Sequence, residues 1–238
     1  MKILAPILFV VLLGGCTAPR SPSHPMPPHG HGGNHGSSDT AHAHGGHHHR
    51  FDDATKWAAR FEDPKRDEWQ KPDAIIEALE LPPDANVADI GAATGYFPVR
   101  LAKTLPEGHV WGVDIEVNMV SYLKERAHKE GYDNLSAILA TPDDPHLPEP
   151  MNAVLVVDTY HHIDNRSAYF RNLRKQLRPG GIVAIVDFRK GELPFGPPDS
   201  AKLAPEVVEN EFKEAGYRLK SQHDFLEYQY FLIFEPIS

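Results

Sequence analysis

The residues best spaced for chemistry are Asp89, Gly91, Ala93 and Gly95, in the run Val87-Ala88-Asp89-Ile90-Gly91-Ala92-Ala93-Thr94-Gly95-Tyr96-Phe97. Val87, Ala88 and Ile90 read as a short buried strand, and Gly91 to Gly95 carry almost no side-chain bulk. From Phe97 to Leu105 the apolar period turns helical, with Leu101 and Leu105 one turn apart. A turn of this kind lets a ligand lie against bare backbone at a helix N-terminus, where unpaired N–H groups point outward. The spacing is not G-x-G-x-x-G, so a dinucleotide pyrophosphate site is not supported. A second acid, Asp114, closes the apolar run Val110-Trp111-Gly112-Val113 and lies 23 residues beyond Gly91. That spacing suits a carboxylate at a second strand end that accepts hydrogen bonds from sugar hydroxyls. A third group, Asp158-Thr159-Tyr160-His161-His162, follows the apolar strand Ala153–Val157. In open α/β sheets ligands bind beyond the carboxyl ends of the strands, so this loop faces the same place.

Asp89-x-Gly91-x-Ala93-x-Gly95 resembles the first motif of class I S-adenosylmethionine-dependent methyltransferases, Asp/Glu-x-Gly-x-Gly-x-Gly. Ala93 departs from it, placing a methyl group where that family has its middle glycine. The turn Leu177-Arg178-Pro179-Gly180-Gly181, ahead of strand Ile182–Phe188, is a second family marker. The resemblance covers residues 72–238. It implies an α/β, Rossmann-like, doubly wound seven-stranded sheet, order 3-2-1-4-5-7-6 with strand 7 antiparallel and helices on both faces. It implies S-adenosyl-L-methionine as cofactor, bound by Asp89, Gly91, Ala93, Gly95, Asp114 and Asp158. The loop after the third strand would hold the adenine, with Asp143 the better match for its amino group and Asp144 the fallback. His161 or His162 would serve as the base where the acceptor must lose a proton, and Tyr160 would shape the acceptor pocket. The bland alternative packs one histidine under the cofactor and the other against a helix.

The elements that position these groups alternate strand and helix. A strand at His109–Asp114 leads to a helix with Met119 and Leu123 one turn apart, closed by Gly131. Leu135–Leu139 forms a third strand, and Phe170, Leu173 and Leu177 mark a helix after the fourth. Residues 190–203 form a Pro/Gly loop with Phe195-Gly196-Pro197-Pro198 as a lid. A helix Pro205–Ala215 and two strands, near Arg218–Phe225 and Glu227–Phe234, complete the sheet. Ahead of the 84–238 methyltransferase domain, residues 51–83 read as a helical cap. Asp52 or Asp53 caps a helix with Trp57 and Phe61 on one face, Pro64 stops it, and Ile75, Ile76 and Leu79 mark another that Pro82-Pro83 ends. Arg66, Trp69 and Gln70 line the site or, for Trp69, pack.

The first residues point elsewhere. Lys2, the apolar run Ile3–Leu13 and Leu13-Gly14-Gly15-Cys16 resemble a bacterial lipoprotein signal peptide (residues 1–15), with Cys16 lipidated. That implies a bacterial cell-envelope protein, lipid-anchored at the periplasmic side of the outer membrane, with the membrane as a partner. Cys16 is the one cysteine, which excludes an internal disulfide and a four-cysteine zinc site. It also argues against cytosine C5 or arsenic methylation, which use cysteine. Residues 16–50 are a Pro/Gly/His-rich tether expected to be disordered. Nine of the 15 histidines lie there, His47, His48 and His49 among them, and neutral imidazoles suit Zn, Cu or Ni. A non-catalytic surface lipoprotein binding transition metal through this arm is therefore the competing reading. Setting aside Lys2, Arg20, Arg50 and Asp39 leaves 21 Lys+Arg against 32 Asp+Glu from residue 51 onward. A domain so acidic is a poor partner for nucleic acid, which leaves a small molecule or a protein as methyl acceptor.

Overall fold

The computed structural model describes residues 53–237. The signal peptide, the tether, His47, His48, His49 and Cys16 lie outside the described residues. Seven strands form one sheet: β1 (Asn86–Ile90), β2 (His109–Asp114), β3 (Leu135–Leu139), β4 (Met151–Val157), β5 (Leu177–Phe188), β6 (Tyr217–His223) and β7 (Gln229–Pro236). Their order is β3-β2-β1-β4-β5-β7-β6. The first five run parallel, and β7 lies antiparallel between β5 and β6. This is the Rossmann-like arrangement expected from the motif resemblance.

The sheet's centre is apolar because helices cover both faces. On one face α3 (Pro72–Ala78), α4 (Tyr96–Thr104) and α5 (Val117–Glu130) pack Ile75, Leu101 and Leu123 over Val87, Leu155 and Val186. On the other, α6 (Arg166–Leu173) and α7 (Pro205–Glu214) lay Phe170 and Phe212 over Val154, Ile185 and Phe234. The alternation in β7 sends Phe231 and Ile233 to the first face and Tyr230, Leu232 and Phe234 to the second. Phe212 stacks on Phe234 with ring centroids 3.9 Å apart. β1 and β4 run parallel side by side, and the strand order turns back between them, from β1-β2-β3 on one side to β4-β5 on the other. The tips of both strands therefore lie at a topological switch point, where open α/β sheets place a ligand.

Several boundaries differ from the sequence expectation. The Arg178-Pro179-Gly180-Gly181 turn is absorbed into β5. Met151 pairs with Leu177, and Ala153 already pairs with Ile182, so the extra residues form a bulge with Gly180 at φ 79°. In the cap, Asp53 caps α1 (Ala54–Phe61) by accepting from Lys56 N at 3.1 Å. Trp57 and Phe61 stack with centroids 5.5 Å apart. Pro64 does not merely stop α1; it opens a further short helix, α2 (Lys65–Gln70), absent from the sequence reading. The next helix, α3, ends at Ala78 rather than at Pro82-Pro83, with Glu80 left-handed at φ 51°. No described helix is long and apolar enough to cross a membrane.

Leu123 shows how closely α5 seats on the sheet. It is 1% exposed, and a Cβ built on Gly95 or on Gly112 would overlap one or the other of its methyl groups. The two glycines make the space that one leucine fills. Leu123→Ala is expected to cost about 2–5 kcal/mol and Gly112→Ala about 1–3 kcal/mol. In the double variant the new methyl occupies part of the vacated volume. Urea denaturation should therefore show a combined loss smaller than the sum by about 1 kcal/mol or more; strict additivity would refute this packing.

Candidate active site

The small-residue turn is built on left-handed backbone. Gly91, Ala93 and Gly95 have φ of 80°, 46° and 98°. Gly91 N and Ala92 N both donate to Val113 O, at 2.8 and 3.1 Å, which clamps the turn to the tip of β2. Gly91 also tolerates no side chain, since a Cβ there would overlap the Thr159 hydroxyl of the loop after β4. Ala93 replaces the expected glycine at a left-handed position that costs an L-residue roughly 1–2 kcal/mol. Its N–H donates to Asp114 Oδ2 at 2.9 Å, and Glu116 N donates to Oδ1 at 3.0 Å. Asp114 is thus aimed at the turn and held between it and the start of α5. A carboxylate has about four acceptor sites, so these two bonds leave room for two hydroxyls. Burial raises the Asp114 pKa, and the backbone bonds from Glu116 and Ala93 pull it back.

The cap lies across this turn. Glu62 accepts from the Thr94 hydroxyl at 2.8 Å and pairs with Arg126 at 2.7 Å, while Arg126 also donates to Thr94 O at 3.0 Å. Asp67 pairs with Arg100 at 2.9 Å and accepts from the Tyr96 hydroxyl. Arg66 lies 4.0 Å above the centre of the Tyr96 ring and donates to Gln70 Oε1 at 2.7 Å. Gln70 Nε2 donates to Gln229 Oε1 at 2.7 Å, and Gln229 in turn donates to Asp158. Gln70 and Gln229 are fully buried. The Arg66 guanidinium stands 3.6 Å from the Asp158 carboxylate, too long for a good hydrogen bond.

Two acids share that one cation. Asp89, 3% exposed, and Asp158, at the tip of the neighbouring strand, both have pKa values raised to about 7. Burial is the main cause for each, opposed by Arg66; Asp114 adds to the rise of Asp89 and Asp187 to that of Asp158. Asp158 also adopts a left-handed φ of 54°.

The loop after β4 divides its three candidates. Tyr160 turns into the core, 0% exposed, and donates to Glu211 at 2.6 Å. His161 is held by Asp187, Nδ1 lying 2.8 Å from Oδ2. His162 is exposed, its ring centroid 4.1 Å from that of His161. Beyond β3, Asp143 is exposed. Asp144 closes a turn, its backbone carbonyl accepting from Thr141 N at 3.0 Å and its side chain from His146 N at 2.8 Å. Trp69 packs against Phe195 of the 190–203 loop at 4.7 Å and against Phe188 at 5.8 Å.

Sequence reasoning passed over several groups at or beside this site. Asp187 was hidden as the last polar position of an apolar strand; one acid in Ile182–Phe188 was its only signal. Gln229 carried none. Ile115 and Leu139, 50% and 48% exposed, stand just past the Asp114 carboxylate and at the tip of β3. An apolar residue directly after a strand-terminal acid was the available clue. Together with Asp114 and the turn, they fit an adenosyl group: a carboxylate for sugar hydroxyls, apolar side chains for a flat base, and bare backbone between. No group of three or more His, Cys, Asp or Glu residues that could hold a metal occurs among the described residues.

Burial of these two acids, only partly offset by Arg66, sets a pH dependence. An unfolded Asp ionises near pH 4, whereas Asp89 and Asp158 ionise at about 7 in the fold. Between those values the folded chain holds more protons than the unfolded one. The stabilisation from these two acids is therefore full below about pH 4 and is lost as pH rises to about 7. The stability difference between wild type and Asp158→Asn, from urea unfolding, should shift in favour of the variant by about 1–3 kcal/mol from about pH 4.5 to about pH 8. A difference that is flat, or that shifts toward wild type, would contradict this assignment.

Comparison with known proteins agrees with the geometry. A methyltransferase-domain family model matches residues 81–230, more than half of the chain. Phosphoethanolamine N-methyltransferase 1 of Arabidopsis thaliana is 30% identical over 155 residues, covering 65% of this chain and 29% of that protein. The chain thus spans under a third of the phosphoethanolamine methyltransferases it matches. The 27-O-demethylrifamycin SV methyltransferase of Amycolatopsis mediterranei is 27% identical over 171 residues, 66% of this chain and 62% of that protein. The crystal structure of a SAM-dependent methyltransferase from Aquifex aeolicus superposes with a TM-score of 0.72 at 23% identity, covering 78% of this chain and 99% of that one, and so shares its fold. With the sheet order, the turn and the strand-tip acid in place, this chain belongs to the methyltransferase-domain family.

Proposed function

We propose that this chain transfers a methyl group from S-adenosylmethionine to a small-molecule or protein acceptor, and that lipid on Cys16 anchors it to the cell envelope. The observation that carries the first part is Asp114, fixed by one N–H from the glycine turn and one from the start of α5. In this reading Asp114 accepts from the ribose hydroxyls, and Gly91, Ala93 and Gly95 present backbone to the cofactor. Ile115 and Leu139 flank the adenine, with Asp143 or Asp144 taking its amino group. Asp89 and Asp158 lie toward the methionyl end, where the loosely paired Arg66 is available to a carboxylate.

When bound, S-adenosylmethionine would supply a methyl group activated on a positively charged sulfur. The protein's part is to bind, orient and exclude water. Glu62, Arg66 and Gln70 of the cap are bonded to Thr94, to one another and to Gln229 of β7, so in this reading α1 and α2 lift for the ligand to enter. The anchoring part rests on Lys2, the apolar run and Leu13-Gly14-Gly15-Cys16, with the one cysteine falling where lipidation needs it. A lipid chain adds roughly 0.8 kcal/mol of membrane affinity per buried CH₂.

Isothermal calorimetry of the full chain with S-adenosylmethionine tests the cofactor. Binding should weaken by about 10–100-fold in Asp114→Ala, which loses charge-assisted hydrogen bonds. Absence of wild-type binding at millimolar cofactor would overturn the reading. For the anchor, labelled palmitate supplied to a bacterial host should enter the wild-type chain and not Cys16→Ser. Equal labelling of both, or of neither, would remove Cys16 as the attachment point.

A further inference from the structure

Asp187 is an acid in a strand otherwise made to be buried. It is 1% exposed, and the run before it, Ile182 to Val186, is apolar and at most 3% exposed. Its carboxylate is nonetheless well supplied with donors. Phe188 N donates to Oδ1 at 2.8 Å, and His161 N approaches Oδ2 at 3.3 Å. His161 Nδ1 lies 3.0 Å from one oxygen and 2.8 Å from the other. Two elements are locked by this contact: the end of β5, and the short helical turn Tyr160–His162 that follows β4. A carboxylate accepts and does not donate, so Nδ1 must carry the proton. The remaining imidazole nitrogen, Nε2, is then the basic one.

The surroundings of His161 can be named from each side. Asp158 lies at the tip of β4, Asp187 on β5, Arg166 at the start of α6, and His162 against the ring. Tyr230, opposite Asp187 in the β5–β7 register, has a buried hydroxyl with no hydrogen-bond partner among the described residues. Behind it, Glu211 of α7 is occupied by Tyr160 and Arg166. Burial presses the His161 imidazole toward neutrality. The hydrogen bond and charge of Asp187, with Asp158 adding, outweigh burial and Arg166, so its pKa is raised.

We propose that Asp187 is a positioning residue that holds His161 as the proton acceptor of methyl transfer, and that the methyl acceptor therefore carries a proton on its reacting atom. This rests on the methyltransferase reading above and narrows it to protic acceptors such as a phenol or other hydroxyl. The acceptor oxygen forms the new O–C bond with a lone pair. The C–S bond breaks and its electron pair stays on sulfur. The O–H proton passes to His161 Nε2, and the resulting imidazolium is paired through Nδ1–H with Asp187. The proton leaves to solvent when the products do. A thioether or a tertiary amine has no proton to lose and would need no such base.

Histidine-selective NMR of the full chain tests the positioning without any acceptor or cofactor, with His161 assigned by its absence in His161→Gln. The expected result is an Nδ1–H tautomer when neutral and a pKa above the free-histidine value, falling by about one unit or more in Asp187→Asn. Asn keeps the shape and one acceptor oxygen, so the fold should survive. A His161 that titrates alike in wild type and Asp187→Asn, or that is an Nε2–H tautomer, would overturn the proposal. For the acceptor class, transfer of labelled methyl to hydroxyl compounds should fall roughly 10²-fold or more in His161→Gln, with cofactor affinity unchanged. Transfer confined to thioethers, or indifferent to His161→Gln, would also overturn it. Loss of cofactor binding in the wild-type chain would instead strike the methyltransferase reading itself.

Discussion

The site depends on one carboxylate and two backbone N–H groups. Asp114 accepts from Ala93 on one side and Glu116 on the other. With that pair of bonds, the turn after β1 and the helix after β2 share a common anchor. The N–H groups of Gly91 and Ala92 complete the clamp by donating to Val113. Without it, a run of small residues with three left-handed positions would have little to define its shape. Backbone of this kind carries strain that neighbouring structure must hold in place. Ala93 shows the principle well, because a residue that pays a steric penalty in this conformation is retained by a charge-assisted bond.

Around that anchor the chain gathers charge in a buried place. Asp89 and Asp158 lie near the ends of adjacent strands, and both feel the charge of one guanidinium, that of Arg66. Arg66 is not committed to either acid at hydrogen-bond distance, and its plane rests on Tyr96. An arrangement with more anions than cations in low dielectric is poorly suited to stability alone. It is well suited to receiving a ligand that brings a positive centre and a carboxylate of its own. The cap enforces this economy of space, since Gln70 and Gln229 extend the same network across 159 residues of sequence.

The order of strands and helices was legible because the central strands are short, largely apolar runs separated by helical periods and turn residues. β2 and β3 match the sequence reading end to end, and Gly131 closes α5 as its position suggested. What escaped were features decided at a distance. The α2 segment Lys65–Gln70 has no apolar period. It is helical because Arg66, Asp67 and Gln70 find partners on α4, β7 and the loop after β4. The Pro-Gly-Gly turn looked like a break between elements and is a bulge, since β5 must reach back to pair with Met151. In the site, Asp89, Asp114 and the glycines could be located from spacing. Asp187 and Gln229 could not, for their meaning lies in the side chains that fold onto them. His161 and Tyr160 are adjacent in sequence and looked alike as candidates, but the helical turn sends one to Asp187 and the other into the core.

The central claim is that a cofactor lies on the turn, within reach of Asp114 and beneath the cap. Hydrogen–deuterium exchange of the full chain, with and without S-adenosylmethionine, addresses it most directly. The account predicts slowed exchange at the amides of residues 91–96, 114–117, 139–144 and 158–162, together with those of α1 and α2. Protection elsewhere, or unchanged exchange at the turn in the presence of saturating cofactor, would contradict it.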